Sequence, residues 1–267
     1  MKANSKWLVV LLILGVIPFS GCGLPVVKKL QARDYLNKGV TQFSNQKYDA
    51  AAQFFQKSVE LDPDFEMARM YLGTAYMSQF IPGSVDPRNA EVANRAIETF
   101  KNIAETSQDL GGRNKLNSML SIVGLYTQMK KYPESKEWCD KVLQLDPKNA
   151  EAYYRVAVMD YDTIIEKTGL QGDRIKDLPS EEIDKLRADI EEGLDYVNKA
   201  IAYREGYYDA MEYQNLLWRE KAKLETDETI KADLIRQADM VYMESRALRR
   251  KAMEEAAKKP KKTGSRE

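Results

Sequence analysis

One construction is written twice in this chain, and it constrains the fold more than any other feature. The stretch from Tyr48 to Pro63 returns from Tyr132 to Pro147, with Tyr48, Phe54, Lys57, Leu61, Asp62 and Pro63 reappearing as Tyr132, Trp138, Lys141, Leu145, Asp146 and Pro147. Tyr48, Ala51, Phe55 and Ser58 step by three, four and three, which places them on one face of a helix. The small residues admit a neighbouring helix at close range, and the aromatic residues fill the space beside them. Leu61 closes the stripe. Pro63 stops the helix, because its ring removes a backbone donor and restricts the residue before it. A helix pair of this kind cannot bury its apolar face alone, so recurrence predicts stacked neighbours sharing a core.

Composition agrees and narrows the chemistry. The chain has 267 residues, 43% of them hydrophobic and 31% charged, which suffices for a sizeable core. Its 41 basic residues balance 41 acidic ones, and no nucleic-acid-binding motif is present, so no nucleic-acid partner is expected. Strand signals are few. Histidine is absent, which removes the commonest general acid–base group and the commonest metal ligand. Cys22 and Cys139 are too few for a disulfide framework or a cysteine-rich zinc site. No cofactor and no metal are expected.

The unit from about Ala32 to Pro63 resembles the tetratricopeptide repeat, a helix-turn-helix of about 34 residues. Tyr35 and Gly39 sit where that family places a large and then a small residue, and Ser58 stands in for its usual alanine. A second unit carries Leu72, Gly73 and Tyr76, then an insertion through Ile81–Pro87 rich in turn signals, with its second helix resuming near Asn89. After Gly111-Gly112, a third unit carries Ile122 and Tyr126, then Tyr132, Ser135, Cys139 and Val142, with Cys139 in the place of Phe55 as a buried structural thiol. A fourth opens at Ala152, is interrupted by a polar stretch to Pro179, and restarts at Ser180, read as a capping hydroxyl ahead of Glu181 and Glu182. Its inner stripe is Gly193, Val197 and Ala200. The fifth runs from Tyr207, with Tyr213, Leu216 and Leu217 and then Ala238, Tyr242 and Ser245, to about Ala257. The resemblance implies an all-α fold, a right-handed superhelical stack of about five helix-turn-helix pairs over residues 32–257.

The amino terminus reads separately. Lys2 and Lys6 precede an apolar run from Trp7 to Ile17, too short for a bilayer span of about 18–20 residues and laid out as a secretory signal. Phe19-Ser20-Gly21-Cys22 resembles the lipobox of bacterial lipoproteins, which implies removal of residues 1–21 as a signal peptide and lipidation (palmitate among the acyl groups) of Cys22. Gly23 after the cysteine implies outer-membrane retention, facing the periplasm. Residues 22–31 are expected to form the lipidated cysteine and a tether, and residues 258–267 a basic disordered tail.

In the tetratricopeptide family the first helices line a concave face that binds peptides. Carried over, the expected groove is Asn37, Val40 and Phe43; Met70, Tyr71 and Met77; Leu120, Gly124 and Thr127; Tyr154, Arg155 and Tyr161; and Gln214, Asn215 and Trp218. Aromatic residues and arginine carry binding energy at interfaces, and methionine adapts to varied partners. No lysine run suited to gripping a terminal carboxylate is present. The expected function is a membrane-anchored, non-enzymatic scaffold that binds a protein or peptide partner in the cell envelope. It resembles type IV pilotins, the helical-repeat lipoprotein of β-barrel assembly, and adaptors of periplasmic peptidases. A structural homo-oligomer is an alternative, and oligomeric state is not set by the sequence. A glycan-active enzyme using Glu181, Glu182, Glu191 or Glu192 is a remote one, because these acids read as a solvated helical face.

Overall fold

The computed structural model describes residues 23–109 and 111–258. The expected signal peptide, the lipidation site Cys22 and the tail beyond Lys258 lie outside them. Ten α-helices follow one another: α1 (Gly23–Ser44), α2 (Tyr48–Leu61), α3 (Glu66–Met77), α4 (Pro87–Thr106), α5 (Arg113–Gln128), α6 (Tyr132–Leu145), α7 (Ala150–Thr168), α8 (Ser180–Tyr203), α9 (Tyr208–Lys223) and α10 (Glu228–Lys258). A 3-10 turn, Ile175–Asp177, lies between α7 and α8. Among the described residues there is no strand. Each odd-numbered helix lies against the even one after it, each pair lies against the next, and α1, α3, α5, α7 and α9 also meet in sequence along one side. The chain is an all-α solenoid of five helix pairs.

The core repeats from pair to pair by exchange of size. In the first pair Gly39 leaves room for Phe55, whose ring lies 2.4–2.5 Å from where a Cβ would stand. Gly73 and Phe100 do the same in the second, at 2.8 Å. In the third, Cys139 takes the place of Phe55 and Val123 that of Gly39, both fully buried in one cluster. In the fourth the couple is Ala157 and Val197. The summed bulk stays similar, which a close-packed interior requires.

Polar replacements at small-residue positions are satisfied. The Ser58 hydroxyl donates to the Ala32 carbonyl at 2.7 Å, and that of Ser135 donates to the Val123 carbonyl at 3.0 Å. Cys139 is a free, buried thiol whose pKa burial pushes up to about 12, so it is an inert core residue.

Two expectations need correction. Residues 23–31, expected as a tether ahead of the first repeat, form the opening turns of α1. Pro25 falls near the helix start, where its missing N–H costs little, and no breaker follows until the turn after Ser44. Val26, Val27 and Leu30 are exposed there. Ser180 does not cap α8: it is the first helical residue, and the capping position is Pro179 without a side-chain bond. Side-chain caps are made by Asp86, which accepts from the Arg88 N–H, by Asn149, which accepts from the Ala152 N–H, and by Asp227, which accepts from the Thr229 and Ile230 N–H groups.

Both insertions are folded back onto the stack. Asn89 closes the first loop by bonding both the N–H and the carbonyl of Ile81, at 2.7 and 2.8 Å. The second is tied to α9. Lys223 donates to the carbonyls of Gly169 and Leu170 and to Glu220, whose other oxygen accepts from Thr168 at 3.0 Å.

Candidate functional site: the inner wall of the last pairs

The inner side of α7 and α9 carries an aromatic seam. Tyr154 meets Tyr207 with ring centroids 5.2 Å apart and meets Tyr213 edge-on at 5.6 Å; Tyr161 meets the same Tyr213 edge-on at 5.6 Å. These geometries suit the aromatic quadrupole. Tyr154, Tyr161 and Tyr213 remain partly exposed, while Tyr207 is buried. Glu151, Arg155, Val158, Asp162 and Ile165 recur at helical spacing along α7 and are all partly exposed, so they form one strip beside the rings.

Charge on this wall is organised around Glu151. Its carboxylate accepts from the Tyr207 hydroxyl at 2.8 Å and from Arg155 Nε at 2.8 Å, and Arg204 stands 3.5 Å away. Burial pushes this carboxyl up, but the Tyr207 hydrogen bond and the guanidinium charges outweigh it. Glu151 therefore stays below the usual carboxylate range. Arg204 also lies 4.0 Å from the Tyr207 ring centroid. At the far end of the strip Tyr132 donates to Asp162 at 2.9 Å. Burial and that bond raise the Tyr132 phenol to about 12. These phenols are un-ionised donors at neutral pH.

The structure assembles part of the expected groove and disperses the rest. Tyr154, Arg155 and Tyr161 are on this wall. Arg155 reaches over Gly124 of α5, with Nη1 3.9 Å from where a Cβ would be. Met70 lies between α3 and α5, its sulfur accepting from Ser118 at 3.3 Å. Thr127 turns inward to Ser135. Asn37 is exposed on α1, and Phe43 is edge-on to Tyr48 at 5.1 Å. Tyr71 stacks on Phe55 at 5.3 Å, toward α2 and the core.

The fifth-pair residues do not join the wall. Asn215 is 6% exposed, its side-chain oxygen accepts from Arg219 at 2.9 Å, and it borders the α9–α10 side of the helix rather than the wall. Gln214 donates to Asn198 and Lys221 pairs with Glu191, both on α8. Trp218, on the same helix face, therefore looks toward α8. The wall residue of α9 is instead Tyr213, which is partly exposed; Glu212 and Leu216 face α10. Glu151, Tyr207 and Tyr213 were missing from the expected groove. Aligning the residues before the two helices, Asn149 before α7 with Tyr207 before α9, sets Tyr213 at the place of Arg155.

The acids considered for catalysis are spread over α8. Glu182 pairs with Lys167 and Glu191 with Lys221, and Glu181 and Glu192 are exposed. Among the described residues no three Cys, Asp or Glu side chains converge as a metal site, and no helix is long and apolar enough to cross a membrane.

Comparison with known proteins gives this architecture a family vocabulary. The tetratricopeptide repeat profile matches residues 32–65 and again residues 116–149. The chain contains tetratricopeptide repeats. The two matched repeats are the first and third helix pairs, and the equivalence of Gly39 with Val123 and of Phe55 with Cys139 follows from the same alignment of places. Among solved structures, MamA is similar over 84% of this chain and 94% of its own, at 14% identity and a TM-score of 0.53. MamA from Desulfovibrio magneticus RS-1 is similar over 83% and 96%, at 14% identity and a TM-score of 0.52. At that identity the likeness is one of fold. No curated protein sequence matches the chain.

Proposed function

We propose that this chain is a non-catalytic scaffold of the bacterial cell envelope. It is held to the membrane by lipid on Cys22, and it binds a polypeptide partner along the inner wall of its last repeats. The observation that carries the binding reading is the Tyr154–Tyr161–Tyr213 seam beside Glu151, Arg155 and Asp162. Partly exposed tyrosines present large contact area at low entropic cost, and the flanking acids favour a segment with basic residues beside its apolar anchors. In solenoids of this kind the extended concave surface is the working part.

The anchoring reading rests on the leader-like amino terminus and on the lipobox resemblance ending at Cys22. One acyl chain holds a protein only marginally, while two or more hold it stably. It places the chain at the outer membrane, facing the periplasm, where pilus, secretion or barrel assembly would recruit it.

Two measurements test these halves separately. Labelled palmitate should enter the wild-type chain and not Cys22→Ser; a Cys22→Ser chain that is labelled and pelleted equally well contradicts the anchor. Proteins co-purified from solubilised envelopes should be depleted by Tyr161→Ala and Tyr213→Ala, each expected to weaken binding by about 2 kcal/mol. An unchanged set of partners contradicts the wall.

A further inference from the structure

The stack ends on an unfilled seat. α9 is held on one side by Tyr154 and Tyr161 of α7, and on another by Asn198 and Glu191 of α8. One helix pair further along, the matching surfaces of α9 and α10 meet no helix among the described residues. They border a cleft of about 740 Å³, whose lining includes Leu216 of α9 with Tyr242 and Met253 of α10, the guanidinium groups of Arg246 and Arg250, and the carboxylates of Glu212 and Glu254. This is where a following repeat would lay its first helix.

The chemistry of the cleft is specific. Along α10, Tyr242 and Met253 lie on one ridge at helical spacing and are 38% and 66% exposed. Among the described residues Arg246 meets a phenol and no carboxylate: it donates to the Tyr242 hydroxyl at 3.0 Å and lies 5.6 Å from that ring. Arg250 has no carboxylate partner among the described residues, whereas Arg249 bonds Glu212. Apolar side chains flanked by unmatched guanidinium groups complement an apolar stripe flanked by carboxylates, which arginine grips bidentately. An amphipathic helix laid in a groove presents such a stripe.

Two occupants within this chain fail on charge and apolarity. Residues 259–267, Lys-Pro-Lys-Lys-Thr-Gly-Ser-Arg-Glu, are basic and carry no large apolar side chain. The exposed apolar start of α1 in a second copy, Val26, Val27 and Leu30, carries Lys28, Lys29 and Arg33 with it, which would set like charges against Arg246 and Arg250.

We propose that the α9–α10 cleft is the docking seat for an acidic amphipathic helix of a different protein, a site separate from the tyrosine wall. The test uses the full chain and a fluorescent, helix-stapled peptide with a leucine stripe flanked by glutamates, alongside a counterpart with lysines. Anisotropy should show saturable binding of the glutamate peptide, weakening as salt rises, and none of the lysine peptide. The pair R246E/R250E should weaken binding at least about tenfold. Reversing two exposed lysines elsewhere, K131E/K148E, should leave it unchanged. All four side chains are exposed, so both variants should keep the parent circular dichroism. Equal binding by R246E/R250E, preference for the lysine peptide, or no binding of either overturns the proposal. So does light scattering that shows self-association lost in R246E/R250E, which gives the seat to a second copy.

Discussion

At the level of single residues, size exchange in the core makes opposite demands at equivalent places. Gly39→Ala forces a methyl to within 2.4–2.5 Å of the Phe55 ring. Overpacking should outweigh the better helix propensity of alanine and cost about 1–3 kcal/mol in urea unfolding. In the third repeat, Cys139→Phe should cost a similar amount against Val123, and Val123→Gly should open a cavity. The double variant, which restores the first repeat's glycine–phenylalanine couple, should recover at least about 1 kcal/mol of the summed loss; strict additivity contradicts the exchange. Gly39 and Phe55 were legible in sequence as a small and a large residue, but their mutual contact was not, since it joins two helices. Asp160 was not legible at all. It is 7% exposed, bonded to Lys136 at 2.5 Å on one oxygen, with its other oxygen buried and unpartnered. Burial raises its pKa to about 6 from 3.8, against the pull of Lys136 and with Glu192 and Asp189 adding to it. The folded state therefore holds this proton more tightly than the unfolded chain. Its contribution to stability is full below about pH 4 and is lost as pH rises through about 6, by up to about 3 kcal/mol. Asp160→Asn should flatten that part of the stability–pH profile; a profile identical to wild type contradicts the assignment.

At the level of elements, helix boundaries were readable because proline, glycine and the three-four stripe act locally. Leu61-Asp62-Pro63 and Leu145-Asp146-Pro147 end α2 and α6 as expected. Registers were readable where the large–small pair is intact, as at Leu72-Gly73. In α9 that pair is replaced by Gln214-Asn215, and a slip of two residues turns a helix by more than half a circle. This is why Asn215 and Trp218 were assigned to the wall and Tyr213 was not. The insertion after α7 was unreadable for another reason: its partners are far away in sequence. Glu220 is 2% exposed and joins Thr168 to Lys223. Glu220→Ala should cost about 2–3 kcal/mol, because buried partners lose a charged acceptor. Amide exchange should rise in residues 169–178 and stay unchanged in α1 and α2, as expected for a stack whose repeats feel mainly their neighbours. Uniform acceleration through all five pairs contradicts that local role.

At the level of the whole molecule, a line of repeats separates its tasks along its length. α1, which follows Cys22 directly, opens the stack, and the tyrosine wall and the arginine-lined cleft lie at the other end. If Cys22 carries the proposed lipid, partners would be held away from the membrane, with the repeats between acting as a spacer. The fold class followed from helical periodicity together with the resemblance to the tetratricopeptide repeat; the wall required coordinates, because it is made by two helices each contributing a few rings. The most direct measurement is site-specific photocrosslinking in intact envelopes. Probes at Val158 and Tyr161 on the wall are compared with one at Gln144, exposed on α6. A discrete protein captured at Val158 and Tyr161 but not at Gln144 is the predicted result. Capture at Gln144 equal to that at the wall would contradict it.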